Sequence, residues 1–178
     1  MKKTPSLSLR ATAFHEAGHA VACIHERVQL STVSIAPTKD SFGHVGHRNI
    51  LHGCNIEWED KLSHRLRMER LVRIGFAGPA AERRFSSKGY RRYGGKDDLQ
   101  FGFELVQCFV GNEEEGSAYL RLLEIQTRNF LNQPGVWDEI TALAKALLEE
   151  TTLTPKRTRS IVHAAFQQSL RSYKTKRA

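Results

Sequence analysis

Five consecutive residues, His15-Glu16-Ala17-Gly18-His19, carry the strongest chemical signal in the chain. If they are helical, four residues advance about 6 Å and rotate about 400°, so the two imidazoles fall on nearly one face, a turn apart. Both then reach one metal ion. Two histidines leave a tetrahedral zinc with open positions; a catalytic site takes a third protein ligand and keeps water in the fourth. Glu16, next to a ligand on the same helix, is placed beside that water and not on the metal. Zinc brings the water towards neutral pKa, and a carboxylate there takes its proton and later protonates a departing amine. A bare HExxH also arises by chance on surface helices. Gly18 adds context, since a helix-interior glycine costs about 1 kcal/mol relative to alanine and is easiest to understand where another backbone approaches closely.

The elements that position these residues follow from periodicity. Phe14, Ala17, Gly18, Val21, Ile24 and Val28 recur at helical offsets, predicting a helix of about 17 residues buried on that side. Residues 1–9, with Lys2, Lys3 and Pro5, read as a flexible arm. Ser31 to Ala36 alternates like a strand, and Gly43 to Ile50 is a weaker second strand across a turn at Pro37 to Ser41. From Glu57 to Phe85 the pattern is helical, with Met68, Leu71, Val72 and Phe76 inward and Arg65, Arg67, Arg70 and Arg73 outward. Gly78-Pro79 predicts a kink or break. Ser86 to Lys96 reads as a polar loop, after which Asp97-Asp98-Leu99-Gln100 resembles a capping box, Asp97 as N-cap, opening a helix to about Val110. Three more helices are expected at about Gly116 to Leu131, Val136 to Glu150 and Pro155 to Leu170, the last opened by Thr154 as N-cap with proline at the first helical position. The fold class is mainly α with a small β-sheet.

At this point the chain resembles the zinc peptidase domain of the FtsH family of ATP-dependent proteases, over roughly residues 10 to 165. The residues that carry the likeness are Ala13-Phe14-His15-Glu16-Ala17-Gly18-His19-Ala20-Val21, similar to that family's active-site helix; Ala77-Gly78-Pro79-Ala80-Ala81-Glu82, similar to its Gly-Gly-Arg-Ala-Ala-Glu; and Gly94-Gly95-Lys96-Asp97-Asp98-Leu99, similar to its Gly-Ala-Ser-Asn-Asp-Leu. The resemblance implies a zincin domain over residues 10–170 with the HExxH on a buried helix and a helical bundle behind it, residues 171–178 being a basic tail. It also implies Zn2+ held by His15, His19 and Asp98, with Glu16 catalytic. From the residues alone, the preferred reading is that Asp97 and Asp98 complement the helix dipole. Glu82 is the rival carboxylate, suited to a supporting hydrogen bond or a salt bridge. Pro79 departs from the family's arginine and puts the local helix geometry in question.

What the resemblance implies about function is a zinc metalloendopeptidase acting on unfolded proteins or peptides, alone or with an AAA+ ATPase partner in trans, and capable of self-association into a homo-oligomer. An extended substrate would add to the sheet as a strand near Ser41 to Arg48. The nearest thing to a P-loop, Gly89 to Asp97, lacks the required Ser or Thr. The alternative is a non-hydrolytic zinc-binding adaptor or regulator, which would not need Glu16.

Composition narrows the field. The chain has 178 residues, 40% of them hydrophobic and 26% charged, the balance of one globular domain. No apolar run is long enough to span a bilayer or to act as a signal peptide, so a cytoplasmic location is expected by default. Cys23, Cys54 and Cys108 show no CxxC spacing and read as reduced. The net charge of +8 allows polyanionic partners, but no aromatic-interleaved nucleic-acid motif accompanies it, so a nucleic-acid role is the least favoured and solvated helix faces the plainer reading. His44 and His47 lie in a strand facing opposite sides and do not pair on a metal. His25 and His64 read as surface or boundary residues.

Overall fold

The computed structural model describes residues 6–38, 42–55, 61–86 and 95–175. Among them are six helices and three short strands: α1 (Leu7–His25), β1 (Leu30–Ser34), β2 (His44–His47), α2 (Leu62–Phe85), α3 (Lys96–Gln107), α4 (Glu113–Leu131), α5 (Val136–Glu150), β3 (Thr152–Leu153) and α6 (Pro155–Thr175). The strands form one antiparallel sheet in the order β2-β1-β3. A mainly helical fold with a small sheet is therefore what the sequence builds.

Helix α1 is the centre of the molecule. It packs most extensively against α2, then α5, and touches both longer strands and α6. The sequence predicts burial on one side, yet from Ala11 to Cys23 every residue except His15 is buried. The difference comes from the small residues off the predicted stripe: Ala13, Ala20 and Ala22 let neighbours close in on the remaining faces, as in any helix enclosed by a core. Its start is also earlier than expected. Ser6 Oγ accepts from Leu9 N–H at 3.2 Å and caps the helix at Leu7, satisfying one of the amides that a helix start leaves open. Residues 1–5 of the expected arm lie outside the described residues. Phe14 stacks on Phe85 at 4.1 Å and on Trp137 at 5.5 Å, tying α1 to the end of α2 and the start of α5.

Helix α2 runs without a break through Pro79, where a kink or break is expected. A proline inside a helix costs about 3 kcal/mol, but Ala77, Gly78 and Ala81 are wedged against α1 and hold the segment helical. The expected inner face, Met68, Leu71, Val72 and Phe76, is buried. Two of the arginines expected outside instead bind the end of α1: Arg73 Nε donates to Glu26 Oε1 at 2.6 Å and Arg70 Nε to the Glu26 carbonyl at 2.9 Å.

The rest follows with local corrections. Helix α6 is capped by Thr154, whose Oγ1 accepts from Arg157 N–H at 3.3 Å, and it continues through Thr175. Residues 171–175 of the expected tail are helical, and 176–178 lie outside the described residues. Strand β3 was not expected; two residues are too few for an alternation to be read, and it exists because Val33 and Ser34 of β1 pair with Leu153 and Thr152. His64 is buried, against the surface or boundary position expected of it, whereas His25 is exposed as expected and its Nε2 pairs at 2.7 Å with the buried Glu139. The three cysteines are unpaired. No described helix is long and apolar enough to cross a membrane.

Candidate metal centre

The α1–α2 contact places the HExxH residues. A Cβ on Gly18 would lie 2.5 Å from the Ala77 carbonyl oxygen and 2.8 Å from Ala81 Cβ, so the two backbones touch where the motif's glycine removes a side chain. Gly78 does the reciprocal service, since a Cβ there would overlap the His19 ring. Gly18 thus has the close backbone neighbour that a glycine inside this helix predicts.

His15 and His19 turn their Nε2 atoms together, 3.0 Å apart. Asp98 closes the triangle: Oδ2 lies 3.2 Å from His15 Nε2 and Oδ1 lies 3.4 Å from His19 Nε2. Ligands about 2.0 Å from a tetrahedral metal are separated by about 3.3 Å along each edge. The three observed separations have that size. Among the described residues this is the cluster of histidine and carboxylate groups that could hold a metal ion.

The far side of each imidazole is also held. His15 Nδ1 faces Glu82 Oε2 at 3.0 Å, and His19 Nδ1 faces the Ile74 carbonyl at 2.8 Å. Each acceptor takes an Nδ1–H and so leaves the Nε2 lone pair for a metal, the usual support of a ligating histidine. Glu82 is therefore the supporting carboxylate and not the rival ligand, while the Ile74 carbonyl, being backbone, left no trace in the sequence pattern.

Asp98 arrives by a route the capping-box reading missed. The N-cap is Gly95, at φ 80°, and neither Asp97 nor any other side chain caps the helix. That left-handed conformation is one glycine adopts freely. It starts α3 two residues earlier than expected and puts Asp98 in the first turn facing the imidazoles. Gln100 donates to Glu104 at 2.9 Å instead of reaching back. The preceding polar loop lies outside the described residues from 87 to 94.

Electrostatics reflect this crowding. Burial alone would push the His15 imidazole down, but its bonds to Asp98 and Glu82 and the nearby Glu16 carboxylate raise it to about 10 from 6.5. Asp98 is held well below the ordinary carboxylate range: burial opposes this, and the two imidazoles prevail. Glu16, 6% exposed, shifts upward, chiefly because burial penalises its charge; the imidazoles of His19 and His15 only moderate the rise. The chain leading into β2 lies against it, for a Cβ on Gly43 would sit 2.7 Å from Glu16 Oε1.

All four residues line one cleft of about 450 Å3, together with Phe42, His44, Leu71 and Phe101. That is the size of many small-ligand pockets. His44, Val45 and His47 of β2 all border the cleft, although an alternating strand is expected to turn the two histidines to opposite sides. Neither belongs to the metal cluster. No family model matches the chain, and no curated protein matches its sequence.

Proposed function

We propose that the chain is a zinc-dependent metalloendopeptidase that hydrolyses peptide bonds in unfolded proteins or peptides. The observation that carries this reading is the convergence of two Nε2 atoms and a carboxylate at tetrahedral spacing, with the unligated Glu16 carboxylate in the same cleft. Two imidazoles and one carboxylate suit zinc as a donor set. When bound, zinc supplies Lewis acidity, polarising a carbonyl oxygen and bringing a water's pKa towards neutrality.

The chain's own residues do the rest. His15, His19 and Asp98 hold the ion, and Glu82 and the Ile74 carbonyl fix the two rings. Glu16 accepts the proton of the attacking water and hands it to the departing amine. A carboxylate whose pKa is raised by burial is better matched to both transfers near neutral pH. An extended substrate segment lies along the outer edge of β2, held by main-chain hydrogen bonds, with its side chains against Phe42 and Phe101.

The test is zinc content and hydrolysis of unfolded casein, wild type beside Glu16→Gln. Both proteins should carry one zinc per chain, and the variant should lose about 10² to 10⁴ of the rate. Zinc without activity in either protein would favour the non-hydrolytic adaptor. Absence of zinc from the purified wild type would sink the reading.

A further inference from the structure

From residue 151 onward the chain has seven lysines and arginines and no carboxylate, so this stretch holds seven of the eight net positive charges. Most of it is helix α6, Pro155–Thr175, which meets the body through a stripe of Thr158, Val162 and Ala165 continued by Ser169, whose hydroxyl donates to Asp138. Beside that stripe the helix presents another kind of surface. Phe166, Leu170 and Tyr173, at offsets of four and three, are 36%, 39% and 50% exposed. Such spacing puts them on one side of the helix. Lys156, Arg159, Arg171 and Lys174 are exposed as well, and helical phase places Arg159 and Lys174 beside the apolar row. At the other end of α6, Arg159 and Arg27 line a hollow of about 350 Å3 with no carboxylate in its wall.

We propose that α6 is a docking surface for an anionic lipid bilayer, lying in the headgroup plane with Phe166, Leu170 and Tyr173 turned into the acyl boundary. Basic residues beside an exposed apolar row are the composition of helices that bind at membrane interfaces. Lysines and arginines there gain from the negative surface potential, and their aliphatic stems cover apolar surface while the charged ends reach the headgroups. A nucleic-acid backbone would match the charge but offers nothing to Leu170 and Phe166. The metal centre is built by α1, α2 and α3, so this inference is independent of the proposed hydrolysis.

The experiment is sedimentation of the whole chain with vesicles of phosphatidylcholine alone or mixed with phosphatidylglycerol, at low and high salt. Wild type should bind the anionic vesicles and not the neutral ones, and should be released by salt. Arg171→Glu/Lys174→Glu and, separately, Leu170→Asp should each weaken binding by about tenfold or more. Their unchanged thermal midpoints would show that the fold survives. Equal binding by wild type and variants, equal binding to neutral vesicles, or no vesicle binding would each overturn the proposal. So would tighter capture by duplex DNA or an acidic polypeptide than by anionic vesicles.

Discussion

His15 and His19 come from a helix buried on nearly every face, whereas Asp98 comes from α3, in which only Gly102, Leu105 and Val106 are buried. Each histidine is gripped from behind, by Glu82 or by the Ile74 carbonyl. The Asp98 side chain is 28% exposed and faces the imidazoles from a helix whose start is set by Gly95. The contrast teaches where precision resides: α1 and α2 set the position of two candidate ligands through touching backbones, and α3 brings the third from the rim.

The largest effect should come from removing a ligand on the buried side. His19→Ala should abolish zinc retention through dialysis and hydrolysis with it; Asp98→Ala should weaken zinc while the fold remains. An Asp98→Ala protein with full zinc occupancy would remove the third-ligand assignment and leave the contrast without its second member.

Next in size is Glu82→Gln, which keeps the shape but weakens the grip on His15. Loss of such a partner costs about 10- to 100-fold in metal affinity or activity, to be read by competition with a zinc chelator. An unchanged affinity would mean that the His15 ring is held by packing alone.

Gly78→Ala probes the close approach itself. Its methyl group must displace the His19 ring, and overpacking of this kind costs about 1 to 3 kcal/mol. Chemical denaturation of metal-stripped protein should show that loss, whereas Lys96→Ala at the start of α3 should leave the midpoint nearly in place.

The smallest effect is on pH. In metal-stripped protein the His15 pKa lies near 10, above its ordinary 6.5. The stability this contributes is fully present below 6.5 and is lost as pH rises through about 10, so the thermal midpoint of stripped protein should fall over that window. Zinc requires the neutral ring, so zinc uptake near neutral pH should release about one proton per chain, measurable in weak buffer.

Much of the site was legible because its logic is local. The HExxH spacing speaks through one turn of helix, and Gly18 advertised a neighbour that proved to be Ala77. Asp98 needed the family resemblance, because two aspartates at a helix start are read most simply as complementing its dipole; the helix start itself was set by Gly95, whose backbone angle no pattern discloses. The hydrogen bond from His15 to Glu82 spans 67 positions, beyond any periodicity. A break at Pro79 is absent for a similar reason, since the local preference is outweighed by contacts with α1 that are distant in sequence, while the end expected at Phe85 is where α2 stops. The paired register of β3 likewise depends on a partner strand more than a hundred residues away.

The cleft's open border has a consequence for behaviour at high concentration. Strand β2 sits at the outside of its sheet with one row of backbone groups unpaired by β1, the kind of template on which proteins aggregate. It is only four residues long, His44–His47, and two of the four are histidines. So short a polar edge offers a passing peptide a brief alignment but gives a second copy of itself too little to propagate a fibril, which lets the rim of the cleft stay open without inviting edge-to-edge association.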